Sequence, residues 1–225
     1  MRFGWIIALA FCLGAAPAAA DITARYRQAV EGQGDLMVQV SSRGESRMTV
    51  AEATYITRDG VTYMALTDGT GSFVVRQQDF LALMADLLRA TGEPAPPANA
   101  ARVTISEAGA ESVGGRPGRL FRIGNPAIPS DMFEVVISDD AGLAPLRGVM
   151  LAHLAPFFDT MGRSSPGLAE ALRDLLGRGA LLRLGPLFQL ESIDTAPVPS
   201  SAFELASPPI SHETLAERLQ AQAHH

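Results

Sequence analysis

Between residues 35 and 76, hydrophobic side chains recur at every second position: Leu36, Val38 and Val40; Met48 and Val50; Val61, Tyr63 and Ala65; Phe73 and Val75. Period two sets each group on one side of a pleated strand. The groups are separated by Arg43-Gly44, Asp59-Gly60 and Asp68-Gly69-Thr70-Gly71. Asp-Gly is a strong hairpin signal because glycine accepts positive φ. Links this short cannot cross over to a parallel strand, so the segment predicts an antiparallel meander. Further strands are predicted at 102–106, 112–113, 119–123 and 132–138, with turns at 114–118 and 139–142. A last pair, 180–184 and 187–193, turns at Gly185-Pro186.

Helical periods lie between and around these groups. Ile22, Tyr26 and Val30 recur every four positions, which predicts a short helix over 22–30, ended by Gly32 and Gly34. Phe80, Met84, Leu87 and Leu88 share a face over 79–90, with Asp79 at the first turn. A proline-rich loop follows at 93–99. Met150, Leu154, Phe157, Phe158 and Met161 form an apolar stripe in which Pro156 predicts a kink or a restart. Ser165-Pro166 reads as the cap and first position of a helix that buries Leu168, Leu172, Leu175 and Leu176 and stops at Gly177. The last helix begins at Ser211, stapled by Ile210 and Leu215. Its polar remainder predicts a helix lying loosely on the surface. The order of strands, helix, strands, helices and strands indicates α+β with an antiparallel sheet.

The first 20 residues change the picture of where this chain works. Arg2, an apolar block over Trp5–Leu13 and then Ala18-Ala19-Ala20 have the layout of a secretory signal peptide, cleaved after Ala20. The expected division is therefore a signal peptide (1–20), a single domain (21–207) and a C-terminal surface helix and tail (208–225). The only cysteine, Cys12, follows Phe11, which does not suit lipidation. A mature chain without cysteine has no disulfide, thiolate nucleophile or thiolate metal site. Export then places the expected site of action in the bacterial periplasm. The net charge of −6 argues against nucleic acid as a partner, and 47% hydrophobic content argues against disorder.

Reactive groups are scarce. All 18 basic residues are arginine, so Schiff-base chemistry is excluded. His153 sits at the edge of an apolar stripe, read as a packed histidine or, alternatively, a proton-transfer group. His212 opens the last helix and is read as solvated. No Gly-x-Ser-x-Gly elbow and no phosphate-cradling loop ending in lysine is present. Asp139-Asp140 lacks the alternating ligands of a calcium loop. No catalytic residue, metal site or cofactor is expected. Arg47, beside the alternating Met48-Thr49-Val50, reads as a solvated edge residue or as an anchor for an anionic head group.

Several short motifs then align in order: Gly44-Glu45-Ser46-Arg47-Met48-Thr49-Val50, Thr54-Tyr55-Ile56, Gly60-Val61-Thr62-Tyr63-Met64, Glu111-Ser112-Val113-Gly114-Gly115, Gly118-Arg119-Leu120-Phe121-Arg122-Ile123 and Val198-Pro199-Ser200-Ser201-Ala202-Phe203. Over residues 22–207 the chain resembles exported proteins similar to the bacterial outer-membrane lipoprotein carriers. Ile56-Thr57-Arg58-Asp59 lacks the Arg-Pro step usual in those carriers. The resemblance implies a curved antiparallel sheet, an incomplete β-barrel, with helices covering the concave face. It also implies a cavity for acyl chains, and thus a lipid or a lipoprotein acyl chain as partner.

The residues expected to contact such a ligand are Arg47, Tyr63, Met64, Met84, Met150 and Phe157. The methionines read either as adaptable cavity lining or as core filler. Three functions follow: a periplasmic non-enzymatic carrier or sensor of an apolar ligand; an envelope interaction or assembly module with a filled core and a protein partner; and, third, a hydrolase restricted to carboxylates and hydroxyls.

Overall fold

The computed structural model describes residues 20–28, 35–51, 53–69, 71–90, 103–125, 132–161 and 167–223. The predicted signal peptide, the proline-rich loop at 93–99 and Ser165-Pro166 lie outside these residues, as do the side chains of Leu88, Phe157, Phe158 and Met161.

Among the described residues, eleven strands form one open antiparallel sheet. The first six are β1 (Ile22–Arg27), β2 (Leu36–Val40), β3 (Ser46–Val50), β4 (Ala53–Arg58), β5 (Val61–Asp68) and β6 (Gly71–Arg76). Helix α1 (Gln77–Ala90) follows, then β7 (Thr104–Val113), β8 (Arg116–Gly124) and β9 (Phe133–Ser138). Helices α2 (Ala144–Met161) and α3 (Leu168–Arg178) precede β10 (Ala180–Leu184) and β11 (Phe188–Asp194), and α4 (His212–Ala223) closes the chain. The spatial order is β6-β5-β4-β3-β2-β1-β11-β10-β9-β8-β7. Two meanders thus meet at the sheet centre, where β1 pairs with β11.

Both meanders and the final hairpin agree with the period-two reading. The helix expected over 22–30 is not found: Ile22–Arg27 form β1, and Val30, Gly32 and Gly34 lie outside the described residues. Ile22 and Tyr26 satisfy a period of two as well as four, and Ala24 between them is fully buried. The β-branched and aromatic residues favour the strand, and pairing on both sides fixes it. The strands expected at 102–106 and 112–113 are parts of the single strand β7, whose middle is a bulged, exposed edge. Arg116, Pro117 and Gly118 belong to β8, so that turn narrows to Gly114-Gly115.

Curvature has local causes. Register shifts interrupt the β1–β11, β9–β10 and β7–β8 ladders, and such bulges bend a strand and add twist. The concave side holds the main core. Tyr26 lies at its centre, fully buried, and its hydroxyl donates to the Leu181 carbonyl at 2.8 Å.

Helix α2 runs through Pro156 without a restart. Helix α3 begins after Gly167 and continues past Gly177 to Arg178. Gly179 follows it in an extended conformation, and only glycine fits there, because a Cβ would run into the carbonyl of Ser138. No helix among the described residues is long and apolar enough to cross a membrane.

The C-terminal segment is more tightly integrated than its composition predicts. A 3-10 turn at Ser200–Phe203 lies against β3 and β4, with Phe203 only 1% exposed. Pro209 then bridges to Val74 on the edge strand β6, and the Ile210 amide donates to the Val74 carbonyl at 2.8 Å. Beyond that edge, α4 packs beside α1. Leu215 is fully buried against Met64, Phe73 and Val75, and Arg218 reaches Asp68 at 3.0 Å. The strap thus covers one of the two edges of the open sheet.

Candidate functional site

Cross-strand pairing sorts the residues of β3–β6 into two faces. Met48, Tyr55, Met64 and Val75 form one row; Arg47, Ile56, Tyr63 and Arg76 form the next. Adjacent rows point to opposite sides of a sheet. The first row faces the helices and the second faces the C-terminal strap.

A cavity of about 360 Å³ lies on the helix side. Leu36 of β2, Met48 and Val50 of β3 and Tyr55 of β4 make its floor. Its roof is His153 and Leu154 of α2 with Leu168 and Leu172 of α3. Phe133 and the β10–β11 turn, Leu184–Phe188, complete the wall. The local sequence accounts for each part. Period two on β2–β4 aligns the floor, and the four-residue spacing of Leu168 and Leu172 stacks both on one face of α3. Pro186 cannot donate a ladder hydrogen bond, which suits the turn where the wall ends. Leu187 on that turn is 45% exposed, although it is a large apolar residue.

His153 is the polar feature of the roof. It is 2% exposed, and its ring lies tilted against Tyr55 with centroids 5.5 Å apart. Nε2 is 3.5 Å from both Ser46 Oγ and Thr57 Oγ1, and Thr57 Oγ1 is 3.0 Å from Thr62 Oγ1. These three hydroxyls form a row across β3, β4 and β5, because Ser46 pairs with Thr57 and Thr57 with Thr62. Nδ1 is buried without a hydrogen-bond partner among the described residues. Burial disfavours the imidazolium and lowers the pKa to about 4, so His153 is neutral at physiological pH. Leaving a buried polar atom unpaired costs about 1–3 kcal/mol. Burial also raises the Tyr55 hydroxyl above the ordinary tyrosine value.

The six residues expected to contact a ligand do not converge on this cavity. Arg47 and Tyr63 lie on the strap side, beside a smaller hollow that they share with Thr54 and Glu204. There the Arg47 Nη1 donates to the Ala202 carbonyl at 3.2 Å. Met64 is on the helix side but packs under α4. Met150 is fully buried in the α2 core, and Met84 is half-buried on α1. Phe157 belongs to α2, and its side chain lies outside the described residues. Sequence reading counted Met48 only among the methionines that could line a cavity or fill the core, and passed over Leu36, Tyr55, Leu172 and Leu187 as lining. The signal for the floor was available, since Leu36 and Met48 stood in the period-two groups and Tyr55 lay in a quoted motif.

Among the described residues no group of three or more His, Cys, Asp or Glu side chains is placed to hold a metal ion. Among the described residues that line the cavity there is no carboxylate, and the hydroxyl is that of Tyr55; the Ser46, Thr57 and Thr62 hydroxyls lie behind His153.

No protein-family model matches the chain, and no curated protein matches it. Similar solved structures, at low identity, include two of MucB. MucB aligns with 16% identity over 85% of this chain and 58% of its own, at a TM-score of 0.33. MucB in complex with MucA(peri) aligns with 16% identity over 84% of this chain and 56% of its own, at a TM-score of 0.30. The chain therefore spans less than three-fifths of the MucB chains it matches. At such scores the functional reading rests on the geometry of this chain.

Proposed function

We propose that the protein is an exported, periplasmic binder or carrier of an apolar ligand, acting without catalysis. The observation that carries this reading is the roughly 360 Å³ cavity between the curved sheet and helices α2 and α3. Its volume falls within the roughly 300–1,000 Å³ range of small-molecule sites. Its lining is almost wholly aliphatic and aromatic, which suits an acyl chain better than a polar metabolite. Burying about ten methylenes there would gain about 8 kcal/mol before the cost of association. The signal-peptide pattern at residues 1–20 supports the periplasmic assignment. The division into a 21–207 domain with a 208–225 appendage belongs to the same proposal, with the appendage as a strap.

The test is native mass spectrometry of the protein isolated from a bacterial envelope, together with uptake of a solvatochromic dye. A bound apolar species, or dye displaced by an added lipid, is the expected result. Leu172→Trp, which fills the roof, is expected to weaken uptake at least about tenfold while leaving the thermal transition near that of the parent. A ligand-free spectrum combined with no uptake would overturn the reading.

A second reading, an envelope interaction module, draws on Leu187. This exposed leucine on the turn at the cavity wall is an apolar handle for a protein partner. Leu187→Asp would then abolish co-purification of that protein.

A further inference from the structure

The cavity carries more information than its size. Among the described residues that line it, none is charged. Arg47, the cation that would have suited an anionic head group, lies across the sheet and is engaged by the Ala202 carbonyl. An ionised carboxylate or phosphate taken inside would lose its hydration and find no counter-charge, which is strongly unfavourable. A neutral polar group needs only one hydrogen bond to be accommodated.

Among the described residues of the lining, His153 has a fully buried side-chain atom with an unfilled hydrogen bond. A neutral imidazole has one donor and one acceptor nitrogen. Hydroxyls from Ser46 and Thr57 both approach Nε2, so a hydroxyl donating there leaves the proton on Nδ1. That nitrogen is buried and unpartnered, on a ring that borders the cavity beside Tyr55. Buried polar groups without partners are rare in folded proteins; Nδ1 is closed off from the cavity as the ring stands, and a ligand atom that met it would complete it. An acceptor oxygen on the ligand would do so after a small turn of the ring, which the loose 3.5 Å contacts at Nε2 permit.

We propose that His153 is the polar contact of this cavity and that the ligand is an uncharged chain bearing an acceptor oxygen, an acyl ester or a fatty alcohol, not an ionised fatty acid. This rests on the binding function proposed above and names the ligand class for the same site. His153 then acts as a binding residue, and the hydroxyl row beneath it fixes the imidazole tautomer.

The experiment compares four probes, each with a ten-carbon chain, on the full-length mature protein at pH 8: methyl decanoate, decanol, decane and ionised decanoate. Each is measured by displacement of a bound dye, for the parent and for His153→Phe. The expected result is that the substitution weakens methyl decanoate and decanol by about tenfold and leaves decane unchanged. Decanoate is the weakest competitor throughout. The parent protein supplies a second readout if the variant folds poorly: methyl decanoate, but not decane, shifts the His153 imidazole nitrogen resonances. Equal resonance shifts with decane and ester, or equal weakening of all probes, would mean that His153 only packs; the ligand-class inference would fall and the binding function would stand. Decanoate binding as well as the ester would also overturn the inference. Displacement by none of the four would remove the binding function itself.

Discussion

The two faces of β3–β6 are made by the same strands, yet one encloses an apolar cavity of about 360 Å³ and the other, apart from a smaller and more polar hollow, is sealed by the strap. On the helix side the sheet curves away beneath α2 and α3 and leaves the cavity over Leu36, Met48 and Val50, while Tyr55 reaches up to the His153 ring of the roof. On the other side an extended segment lies directly on the strands, so that Ile56 and Val74 are buried there as well. A helix is a stiff rod about 10–12 Å wide that spans a concavity, whereas an extended strap follows the surface residue by residue. The difference teaches that room for a ligand comes from the shape of the cover, since strands on both sides supply alternating side chains of similar size.

The largest expected effect comes from breaking the sealed side. Phe203 is 1% exposed and anchors the strap. Phe203→Ala should destabilise the protein by about 3–5 kcal/mol in urea unfolding. Ligand uptake by the folded fraction should stay unchanged, because the cavity is across the sheet. Reduced uptake in folded Phe203→Ala would show that the strap shapes the cavity floor.

The next effect belongs to the open side and depends on pH. The pKa of His153 lies near 4 when folded and near 6.5 when unfolded, because burial disfavours its charged form. As pH falls below about 6.5 the unfolded chain takes up a proton first, so protonation favours unfolding. The stability associated with a neutral His153 is therefore complete above that pH and is lost as pH falls toward 4, by about 2–3 kcal/mol in all. Urea midpoints measured from pH 7 to pH 4 should show this slope in the parent. His153→Phe should lack that portion of it. An unchanged slope in the variant would assign the acid sensitivity to carboxylates such as Glu134, which Arg183 and Arg122 hold below the usual carboxylate value.

The alternation that separates these faces was legible at particular residues. Leu36, Val38 and Val40 fall on one face as their spacing predicts, and the hairpin turns sit at the Asp-Gly steps. The helix expected over 22–30 arose because Ile22 and Tyr26 are separated by a multiple of both two and four. Only the burial of Ala24 between two partner strands decides the matter. The split among the expected site residues was also legible in principle. Tyr63 and Met64 are neighbours on one strand and cannot face one cavity. The cavity volume was not legible, because it depends on sheet curvature set by bulges and on the height of α2 and α3 above the floor. Nor was the integration of the tail: α4 carries few apolar residues, but the two that matter, Leu215 and Leu219, meet a cluster assembled from β5, β6 and α1.

Arg47 sharpens the comparison at the smallest scale, because its sequence context supported both a solvated edge and a head-group anchor. In the fold its guanidinium holds the strap, with Nη1 donating to the Ala202 carbonyl and Nε to Thr49 Oγ1. Arg47→Met keeps the aliphatic stem that lies along Ile56 and Tyr63 and deletes only these hydrogen bonds. One half-exposed hydrogen bond to a neutral carbonyl is worth about 1 kcal/mol, so the urea midpoint should move slightly and the slope of the transition not at all. Dye and ester binding should match the parent, since no atom of Arg47 borders the helix-side cavity. A variant of unchanged stability with lost binding would reverse the assignment of the two faces: the ligand would then lie under the strap, in the hollow with Tyr63 and Glu204.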